Sequence, residues 1–428
     1  MNITVTGKSL SGEAAVIASK SDLHRLLICA ALSKSPTVIY GASLSQDITA
    51  TIDCLRTFAA DIQIETNRMI IHPYAQYKRN PLLDCNESGS TLRFLLPVIA
   101  ALGIGGRFTG RGRLAERPLS PLYELLQENG CYLSPQGKFP LSVDGCLNHT
   151  SFAIDGGVSS QFISGLLFAA PFLNQDSEIK VTGTVESYPY IQMTCAAMQK
   201  FGIQTGFETP CTFRISGNSA YLSPATVTAE GDWSNAAFWL VAAVISKSYG
   251  FTLTNLNLAS LQGDMQILNL LREAGVTLNA ADGAVKITDA AYLRPLQINA
   301  AQIPDLVPIL AVFSCAIQGQ TVIRHAQRLL YKESNRLQTV FEMITALGGK
   351  IRMTDDGLII DGTGRLHGGT VNSYNDHRIA MSAAVASFIC EEPVTIIDAQ
   401  AVKKSYPDFY KEFESKGMIV CPPLSEQN

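Results

Sequence analysis

The sequence lacks long apolar runs and an apolar opening segment. Its longest candidates, residues 94–102 and 236–245, are well short of the ~18–20 residues that a membrane-spanning helix needs. Residues 1–7 read as a strand and lack the charged start and apolar stretch of a secretion signal. We therefore expect a cytoplasmic protein with no membrane partner.

Charged residues are also scarce. They make up 16% of the 428 residues, against 46% hydrophobic residues, and the formal net charge is -4. Because there is no overall basic field, nucleic-acid binding is not favoured. The chain is too long for one ordinary hydrophobic core, so we expect two domains.

Common metal and nucleotide motifs are absent as well. None of the ten cysteines forms a Cys-x-x-Cys pair, and the six histidines lack metal-ligand spacing, so we expect no metal. Neither Gly-x-x-x-x-Gly-Lys-Ser/Thr nor Gly-x-Gly-x-x-Gly after a strand occurs, so nucleotide binding has no support. We expect no cofactor, and we interpret the cysteines as the reduced thiols of a cytosolic protein.

The chain does contain a sixfold repeat. A polar start before an apolar helix recurs at steps of 68, 70, 72, 73 and 71 residues, marked by Asp22, Ser90, Ser160, Asp232, Asp305 and Asp376. A second series of amphipathic helices ends at steps of 70, 72, 73, 73 and 69 residues, at Ala60, Gly130, Gly202, Gly275, Gly348 and Gly417. Glycine at these ends is typical of a left-handed helix C-cap. Chance helix–strand alternation in an α/β protein is the alternative, but it would not keep two series so regular.

Each unit of this repeat reads strand, buried helix, strand, amphipathic helix, strand, strand. This order predicts an α/β fold of two domains, each with three βαβαββ units around buried helices. We place an inserted domain at residues 20–228 and a discontinuous one at residues 1–19 plus 229–428, with the first strand pairing in the second half. The expected active site is the interdomain cleft.

Polar and basic residues cluster where the buried helices start. They are Lys20-Ser21 with Arg25, Ser90-Thr91 with Arg93, Ser159-Ser160-Gln161, Asp305, and Asp376-His377-Arg378. Each could be an ordinary N-cap beside a solvated charge. However, burying a charged side chain on an apolar helix costs free energy unless the charge is paired. Because basic residues recur at these helix starts, the pattern favours an anion site, with phosphate as the anion.

Charge also concentrates in the loops before the second helices of the repeats. These loops contain Arg111, Arg113 and Arg117, then Lys332-Glu333 and Arg336, then Lys403-Lys404. Such runs are usually solvated, but these occupy equivalent places in three repeats. Lys332, Glu333 and Asp305 supply acid–base groups among cations, which hold carboxylates ionised.

Nine short motifs, in order, resemble the enolpyruvyl transferase family, and within it the branch that acts on 3-phosphoshikimate. The motifs are Lys20-Ser21 with Arg25, Gly89-Ser90-Thr91-Leu92-Arg93, Glu116-Arg117-Pro118, Ser159-Ser160-Gln161, Ser187-Tyr188-Pro189-Tyr190, Ile303-Pro304-Asp305, Lys332-Glu333-Ser334-Asn335-Arg336, Asn375-Asp376-His377-Arg378 and Lys404-Ser405-Tyr406-Pro407. The resemblance covers the whole chain, and it implies the same six-repeat fold and a monomer.

The activity implied by this resemblance is transfer of the carboxyvinyl group of phosphoenolpyruvate to the 5-hydroxyl of 3-phosphoshikimate in chorismate biosynthesis. The hydroxyl adds to C2 while C3 is protonated, and phosphate then leaves the tetrahedral intermediate. Matched positions imply that 3-phosphoshikimate is held by Lys20, Ser21, Arg25, Ser159, Ser160, Gln161, Ser187, Asp305 and Lys332. They imply that phosphoenolpyruvate is held by Lys20, Gly89, Arg117, Gln161, Arg336, Arg378 and Lys404. Asp305 is the expected base and Glu333 the expected proton donor to C3, assisted by Lys20.

Two alternatives have weaker support. The sister transferase that acts on UDP-N-acetylglucosamine has a reactive cysteine in the loop before its Arg-Pro, and residues 107–117 contain none. A catalytically silent protein that captures phosphorylated ligands would not need to retain Lys20, Asp305, Glu333 and Lys404 together.

The chain departs from the family pattern at Glu87, Ser90, Arg328 and Leu330. These positions bear on fine contacts and on sensitivity to glyphosate, a mimic of phosphoenolpyruvate. Glu87 would repel a phosphate if it pointed inward, so we expect it to point away or to pair with a base.

Overall fold

The computed structural model describes residues 1–209 and 211–422. Its α-helices are α1 Lys20–Ala31, α2 Gln46–Phe58, α3 Gly89–Leu102, α4 Leu122–Glu128, α5 Ser160–Ala169, α6 Tyr188–Lys200, α7 Trp233–Ile245, α8 Ile267–Glu273, α9 Val307–Cys315, α10 Arg336–Ala346, α11 His377–Ala386 and α12 Phe409–Lys416. Short 3₁₀ turns span Gly112–Glu116, Ala170–Phe172, Gly263–Gln266, Pro304–Leu306, Gln327–Tyr331, Ser387–Ile389 and Ala399–Lys404.

The strands of the described chain are all short. They are β1 Ile3–Thr6, β2 Glu13–Ala15, β3 Thr37–Tyr40, β4 Ala60–Ile64, β5 Arg68–Pro73, β6 Leu82–Asp84, β7 Gly106–Thr109, β8 Cys131–Leu133, β9 Leu141–Gly145, β10 Ser151–Asp155, β11 Ser177–Thr182, β12 Thr205–Thr209, β13 Thr212–Ile215, β14 Thr226–Thr228, β15 Thr252–Thr254, β16 Thr277–Ala281, β17 Ala284–Asp289, β18 Gln297–Asn299, β19 Gly319–Arg324, β20 Lys350–Met353, β21 Leu358–Gly362, β22 Gly369–Asn372, β23 Val394–Ile397 and β24 Ile419–Cys421.

These strands form six four-stranded sheets, one for each repeat. In the second repeat the order is β6-β7-β9-β8, where β6 and β7 run parallel and the other neighbours run antiparallel. The odd-numbered helices are the buried members of the repeats, and the even-numbered helices are amphipathic. The predicted βαβαββ repeat is therefore confirmed.

Three sheets borrow a strand from a distant part of the chain. Strand β1 lies between β23 and β24, and β2 pairs with β15, so the first residues complete two sheets of the second half. Strand β14 pairs with β3 and completes the first repeat. The chain divides into a discontinuous unit, Met1–Ile17 with Glu230–Asn428, and a continuous unit, Ala18–Ala229.

The core of the continuous unit surrounds α1, α3 and α5. Helices α3 and α5 pack closely because Gly165 presents no side chain to its neighbour. A Cβ atom at Gly165 would lie 2.3 Å from the carbonyl oxygen of Arg93. This close approach brings the polar starts of both helices to the same end of the unit.

The core of the discontinuous unit surrounds α7, α9 and α11. Trp239 of α7 is fully buried and stacks on Phe413 of α12 with ring centroids 3.7 Å apart. Burial of these two large rings contributes to the apolar core that stabilises the unit.

The buried helices begin much as the sequence predicts, with two differences. Five have a capping side chain, supplied by Ser19, Ser88, Ser159, Asp232 and Asp376. Helix α1 starts at Lys20 behind Ser19, slightly earlier than the predicted Ser21-Asp22 start. Asp305 does not cap α9; it lies in the 3₁₀ turn before that helix, which leaves its carboxylate available for other partners.

Glycines end most of the second helices. Gly130, Gly202, Gly275, Gly348 and Gly417 all have positive φ, as a left-handed C-cap requires. The first repeat differs, because Ala60 already belongs to β4.

No helix within the described residues is both long and apolar enough to cross a membrane.

Candidate active site

A buried ion cluster occupies the discontinuous unit, with Arg336 at its centre. The Arg336 guanidinium donates to Asp305 at 2.7 Å, to Glu333 at 2.6 Å and to Asp376 at 2.8 Å. The Arg336 side chain is only 1% exposed. A buried guanidinium is stable only when its donors are satisfied, and three carboxylates satisfy this one.

Three cations surround Asp305. Besides Arg336, the ammonium of Lys332 and the guanidinium of Arg378 each lie 3.2 Å from its carboxylate. Burial alone would raise the pKa of Asp305, but the charges of Arg378, Lys332 and Arg336 hold it well below the usual carboxyl value. Asp305 is therefore ionised at neutral pH.

The cations respond differently to the same surroundings. Burial lowers the pKa of Lys332 to about 8, although Asp305 opposes that shift. Burial would also lower the pKa of Arg336, but Asp376, Glu333 and Asp305 raise it above its usual value. Of these two cations, Lys332 is the one whose charge changes near pH 8.

The start of α11 carries the remaining predicted groups of this unit. Asp376 caps the helix by accepting from the Arg378 backbone N–H at 2.9 Å. The Lys404 ammonium donates to the carbonyl oxygen of Asn375 at 2.6 Å, so it is held beside the same helix start. Lys404 is buried, although it is a lysine.

Short 3₁₀ turns present several of these charges. Arg117 follows the turn Gly112–Glu116, Lys332 follows Gln327–Tyr331, and Lys404 ends Ala399–Lys404. Each turn precedes the second helix of its repeat, where the sequence contained charged loops. In each of these three repeats a basic residue therefore lies at or just after the end of the turn.

In the continuous unit, Arg25 is buried on α1. Its guanidinium donates to the Thr194 hydroxyl at 2.8 Å and to the backbone oxygens of Tyr190 at 2.8 Å and Ser21 at 2.6 Å. The ring of Phe94 lies 5.2 Å from the guanidinium carbon. Burial lowers the pKa of Arg25 to about 10, so it remains a cation at neutral pH.

Lys20, the first residue of α1, binds the carboxylate of Asp47 at 2.8 Å. Asp47 lies in the first turn of α2. This ion pair fixes the Lys20 ammonium at the polar end of α1.

The start of α3 has an unusually close contact. The guanidinium of Arg117 lies directly against Gly89, so that a Cβ atom there would be 2.7 Å from Arg117 Nη1. Within the same turn and the next, α3 is linked to α5: Arg93 donates to Gln161 at 2.8 Å, and Gln161 donates to the Ser90 hydroxyl at 2.8 Å. Arg117 and Gln161 therefore contact adjacent residues, Gly89 and Ser90, at the start of α3. The family resemblance assigned Gly89, Arg117 and Gln161 to one ligand.

Ser21 lies in the first turn of α1, and three more serines are among the predicted polar groups of this unit. Ser159 accepts from the Gln161 backbone N–H at 3.3 Å as the cap of α5, and its neighbour Ser160 is buried. Ser187 is buried in a left-handed conformation, with φ of 53°, immediately before α6.

Glu87 lies beside the loop that leads to Arg117. Its Oε2 atom would be 2.6 Å from a Cβ atom added at Gly112. Gly112 has φ of 54° and no side chain, which makes room for the carboxylate.

Several residues with a clear role were not assigned from sequence. Asp376 binds Arg336, Asp47 binds Lys20, and Thr194 binds Arg25. Asp264 is a fourth: it accepts from the Ser234 hydroxyl, and burial with the charge of Asp305 raises its pKa to about 7. Asp264 lies in the 3₁₀ turn Gly263–Gln266, equivalent to the turns at Arg117 and Lys332, so comparing the repeats could have found it.

Chemically, the two units offer complementary functions. The continuous unit presents cations and hydroxyls at helix starts, an arrangement suited to phosphate and carboxylate groups. The discontinuous unit presents an ionised carboxylate among cations, together with a second carboxylate, Glu333, that is partly exposed. The described residues contain no group of three or more His, Cys, Asp or Glu side chains placed to bind a metal ion.

Comparison with solved structures identifies the fold. The fold matches an EPSP synthase from Acinetobacter baumannii with a TM-score of 0.81 and 23% identity, covering 98% of this chain and 99% of that one. It also matches the enolpyruvyl transferase NikO from Streptomyces tendae with a TM-score of 0.80 and 17% identity, covering 98% of each chain. The architecture is that of the enolpyruvyl transferases.

Sequence comparison identifies the family within this class. The family model "EPSP synthase (3-phosphoshikimate 1-carboxyvinyltransferase)" matches residues 5–413, and the chain belongs to that family. The 3-phosphoshikimate 1-carboxyvinyltransferase of Clostridium kluyveri is 38% identical over 417 residues, covering 97% of each chain. The enzyme of the same name from Clostridium novyi is 38% identical over 430 residues, covering 98% of each.

Proposed function

We propose that the protein transfers the carboxyvinyl group of phosphoenolpyruvate to the 5-hydroxyl of 3-phosphoshikimate and releases phosphate. The observation that carries this proposal is the half-buried Asp305 carboxylate, in contact with Lys332, Arg336 and Arg378. The reaction needs a base among cations, because it removes a proton from a hydroxyl while binding anionic substrates. Family membership supports the same reaction.

The residues proposed to bind the substrates are the polar and charged groups described above, most of which lie at helix starts or turns. Lys20, Ser21, Arg25, the serines at 159, 160 and 187, Gln161, Asp305 and Lys332 bind 3-phosphoshikimate. Lys20, Gly89, Arg117, Gln161, Arg336, Arg378 and Lys404 bind phosphoenolpyruvate. Residues of both units thus serve one reaction, and the two units are the two domains of the enzyme.

Asp305 acts as the base toward the 5-hydroxyl. In the free protein its low pKa makes it a weak base. Bound phosphates and carboxylates would offset the charges of Lys332, Arg336 and Arg378, and thereby raise the pKa of Asp305. Substrate binding would therefore activate the base.

Protonation at C3 is assigned to Glu333, with Lys20 assisting. The Glu333 carboxylate is oriented by Arg336 Nη2 at 2.6 Å and is partly open to solvent, from which it can gain a proton. Addition forms the C2–O bond to the shikimate oxygen and the C3–H bond. Elimination breaks the C2–O bond to phosphate, returns one C3 proton to Glu333 and restores the C2=C3 double bond, now as an enol ether.

The test is phosphate release from phosphoenolpyruvate, measured separately with 3-phosphoshikimate, with UDP-N-acetylglucosamine and with no acceptor. We expect sustained phosphate release only when 3-phosphoshikimate is the acceptor. This release should be lost in Asp305→Asn, which removes the base but keeps the shape of the side chain. Release that depends on UDP-N-acetylglucosamine would transfer the assignment to the sister activity. No release with either acceptor would support a binding protein.

We further propose that the enzyme works as a monomer in the cytosol. Buried reduced thiols such as Cys29 and Cys315 fit a reducing compartment. Light scattering coupled to gel filtration should give the mass of one chain, and a mass of two chains would contradict this proposal.

A further inference from the structure

A buried histidine in the continuous unit has no place in the mechanism above. His24 lies on α1 between the Lys20 and Arg25 positions and is 1% exposed. Its Nδ1 atom is 2.8 Å from the Thr51 hydroxyl of α2. Its Nε2 atom is buried and has no hydrogen-bond partner among the described residues. An imidazole with one nitrogen paired and one bare is unusual in a protein core, where buried polar atoms are normally satisfied.

The contact at Nδ1 continues as a chain of hydroxyls. Thr51 Oγ1 lies 2.7 Å from Thr91 Oγ1, and the Thr91 hydroxyl donates to Ser88 Oγ at 2.7 Å. Ser88 is the cap of α3 and also accepts from the Thr91 backbone N–H at 3.2 Å. All four side chains are almost completely buried. This series of hydrogen bonds therefore joins α1, through Thr51 of α2, to the first turn of α3.

Counting the hydroxyl protons shows which atom donates in each of these hydrogen bonds. A hydroxyl has one proton, and Thr91 gives its proton to Ser88. The shared proton between the two threonines must then come from Thr51. Thr51 in turn has no proton left for His24, so the proton between them must be on Nδ1. The ring is thus protonated at Nδ1.

The electrostatic surroundings keep this ring neutral. Burial, with the charges of Lys20 and Arg25, lowers the pKa of His24 well below its ordinary value. A neutral ring with a proton on Nδ1 has none on Nε2, which agrees with the absence of an acceptor beside that atom.

We infer that His24 is a positioning residue, whose Nδ1–H orders Thr51, Thr91 and Ser88 and so holds the Gly89 end of α3 in place for phosphoenolpyruvate. Gly89 directly follows the Ser88 cap, and the guanidinium of Arg117 lies against it. A shift of Ser88 would therefore move the backbone on which Arg117 rests. This inference rests on the proposed function, in which Gly89 and Arg117 bind phosphoenolpyruvate.

Paired substitutions separate positioning from packing. His24→Asn places an amide nitrogen near the Nδ1 position, whereas His24→Gln places it near Nε2. Thr51→Val removes the central hydroxyl with little change in shape, whereas Thr51→Ser keeps it. Ser33→Ala is the control, because Ser33 is a buried hydroxyl at the opposite end of α1 and bonds only to backbone oxygens.

We expect the KM for phosphoenolpyruvate to rise about five- to thirtyfold in His24→Gln and Thr51→Val, as loss of one or two hydrogen bonds would produce. The KM for 3-phosphoshikimate and kcat should change less than about threefold. His24→Asn, Thr51→Ser and Ser33→Ala should stay near the wild type. An unchanged KM for phosphoenolpyruvate in both disruptive variants, or an equal rise in Ser33→Ala, would overturn the inference.

A second readout does not depend on turnover. Nitrogen NMR of the intact protein labelled in its histidine rings should show one ring protonated only at Nδ1, and that signal should vanish in His24→Asn. A ring protonated at Nε2, or at both nitrogens near neutral pH, would refute the proton order. If the wild type releases no phosphate, the proposed function fails, while this spectrum still decides the state of His24.

Discussion

At the scale of single residues, Arg336 organises the acid–base groups. Its buried guanidinium binds Asp305, Glu333 and Asp376 at once. Both proposed catalytic carboxylates are therefore held by one planar cation, whose five donors suit several carboxylates. Removing either carboxylate leaves part of this buried charge unbalanced. An amide variant is also neutral, but it keeps the size of the side chain and one oxygen that can accept from the guanidinium, which makes it the closer control.

Asp305→Ala and Glu333→Ala should each lower kcat by ~10²–10⁴-fold, the usual contribution of a general acid or base. Circular dichroism and thermal melts of each variant should show that the fold is retained. The isosteric Asp305→Asn and Glu333→Gln should lose a similar amount, because they keep the size but not the proton transfer. Near-full turnover in either alanine variant would remove that residue from its assigned role.

The charge of Lys332 predicts a pH dependence. Its pKa is lowered to about 8, so it is charged below that pH and neutral above it. In the proposed function the charged form of Lys332 binds 3-phosphoshikimate, so kcat/KM for 3-phosphoshikimate should fall as the pH rises through about 8.

The control for this pH profile is Lys332→Arg, which stays charged across the range. Its kcat/KM should lose the fall above about pH 8, whatever its absolute value. An identical alkaline limb in both proteins would mean that another group titrates there.

At the scale of elements, helix starts and 3₁₀ turns place the charges. Helix α3 begins with Gly89, directly after the Ser88 cap. Arg117 follows the 3₁₀ turn Gly112–Glu116, and its guanidinium lies against Gly89. Gly89 itself does not have a positive φ. The reason for a glycine here is the close approach of the guanidinium.

Gly89→Ala should therefore displace Arg117 without disturbing the fold. The added Cβ would lie 2.7 Å from Nη1, and the end of a flexible side chain can move aside. We expect the KM for phosphoenolpyruvate to rise by roughly tenfold to a hundredfold. Steady-state kinetics with each substrate varied in turn is the measurement.

The matched control is Gly206→Ala, because a Cβ there would make only ordinary contacts, with Arg214 at 3.6 Å. It should leave both KM values unchanged. An equal effect of the two substitutions, or a rise confined to 3-phosphoshikimate, would contradict the role given to Gly89.

Much of this element pattern could be predicted from the sequence. Two regular series of markers indicated six repeats, and the glycines at 130, 202, 275, 348 and 417 do have the positive φ of helix ends. Local preferences specify such features, because they depend on residues close together in the chain.

Side-chain partners were harder to predict. Arg336 meets Asp376 across 40 positions, and Lys20 meets Asp47 across 27, only because separate elements pack together. Asp305 also lies elsewhere than the sequence pattern predicted: it belongs to the 3₁₀ turn before α9, and α9 has no capping side chain. These contacts depend on tertiary structure, which local patterns do not record.

At the scale of the whole molecule, each unit has its own hydrophobic core. One surrounds α1, α3 and α5, and the other surrounds α7, α9 and α11. The first residues, β1 and β2, belong to sheets of the discontinuous unit. A truncation of residues 1–17 would therefore remove one strand from each of two sheets of the discontinuous unit.

Binding of 3-phosphoshikimate should stabilise the intact protein against heat. At about 100 times its Kd, a ligand that binds only the folded state adds about 2.7 kcal/mol. For units of this size the melting temperature should then rise by roughly 5–10 °C. Differential scanning calorimetry with shikimate and UDP-N-acetylglucosamine as comparisons measures this. Equal shifts with shikimate would show that the phosphate contacts contribute nothing.

The central claim is transfer of the carboxyvinyl group to 3-phosphoshikimate, and NMR with phosphoenolpyruvate labelled with ¹³C at C2 tests it most directly. We predict that the labelled carbon becomes an enol ether carbon on the 5-oxygen of 3-phosphoshikimate, with one phosphate released per transfer. Label that remains in phosphoenolpyruvate, appears as pyruvate, or moves only to UDP-N-acetylglucosamine would contradict the claim.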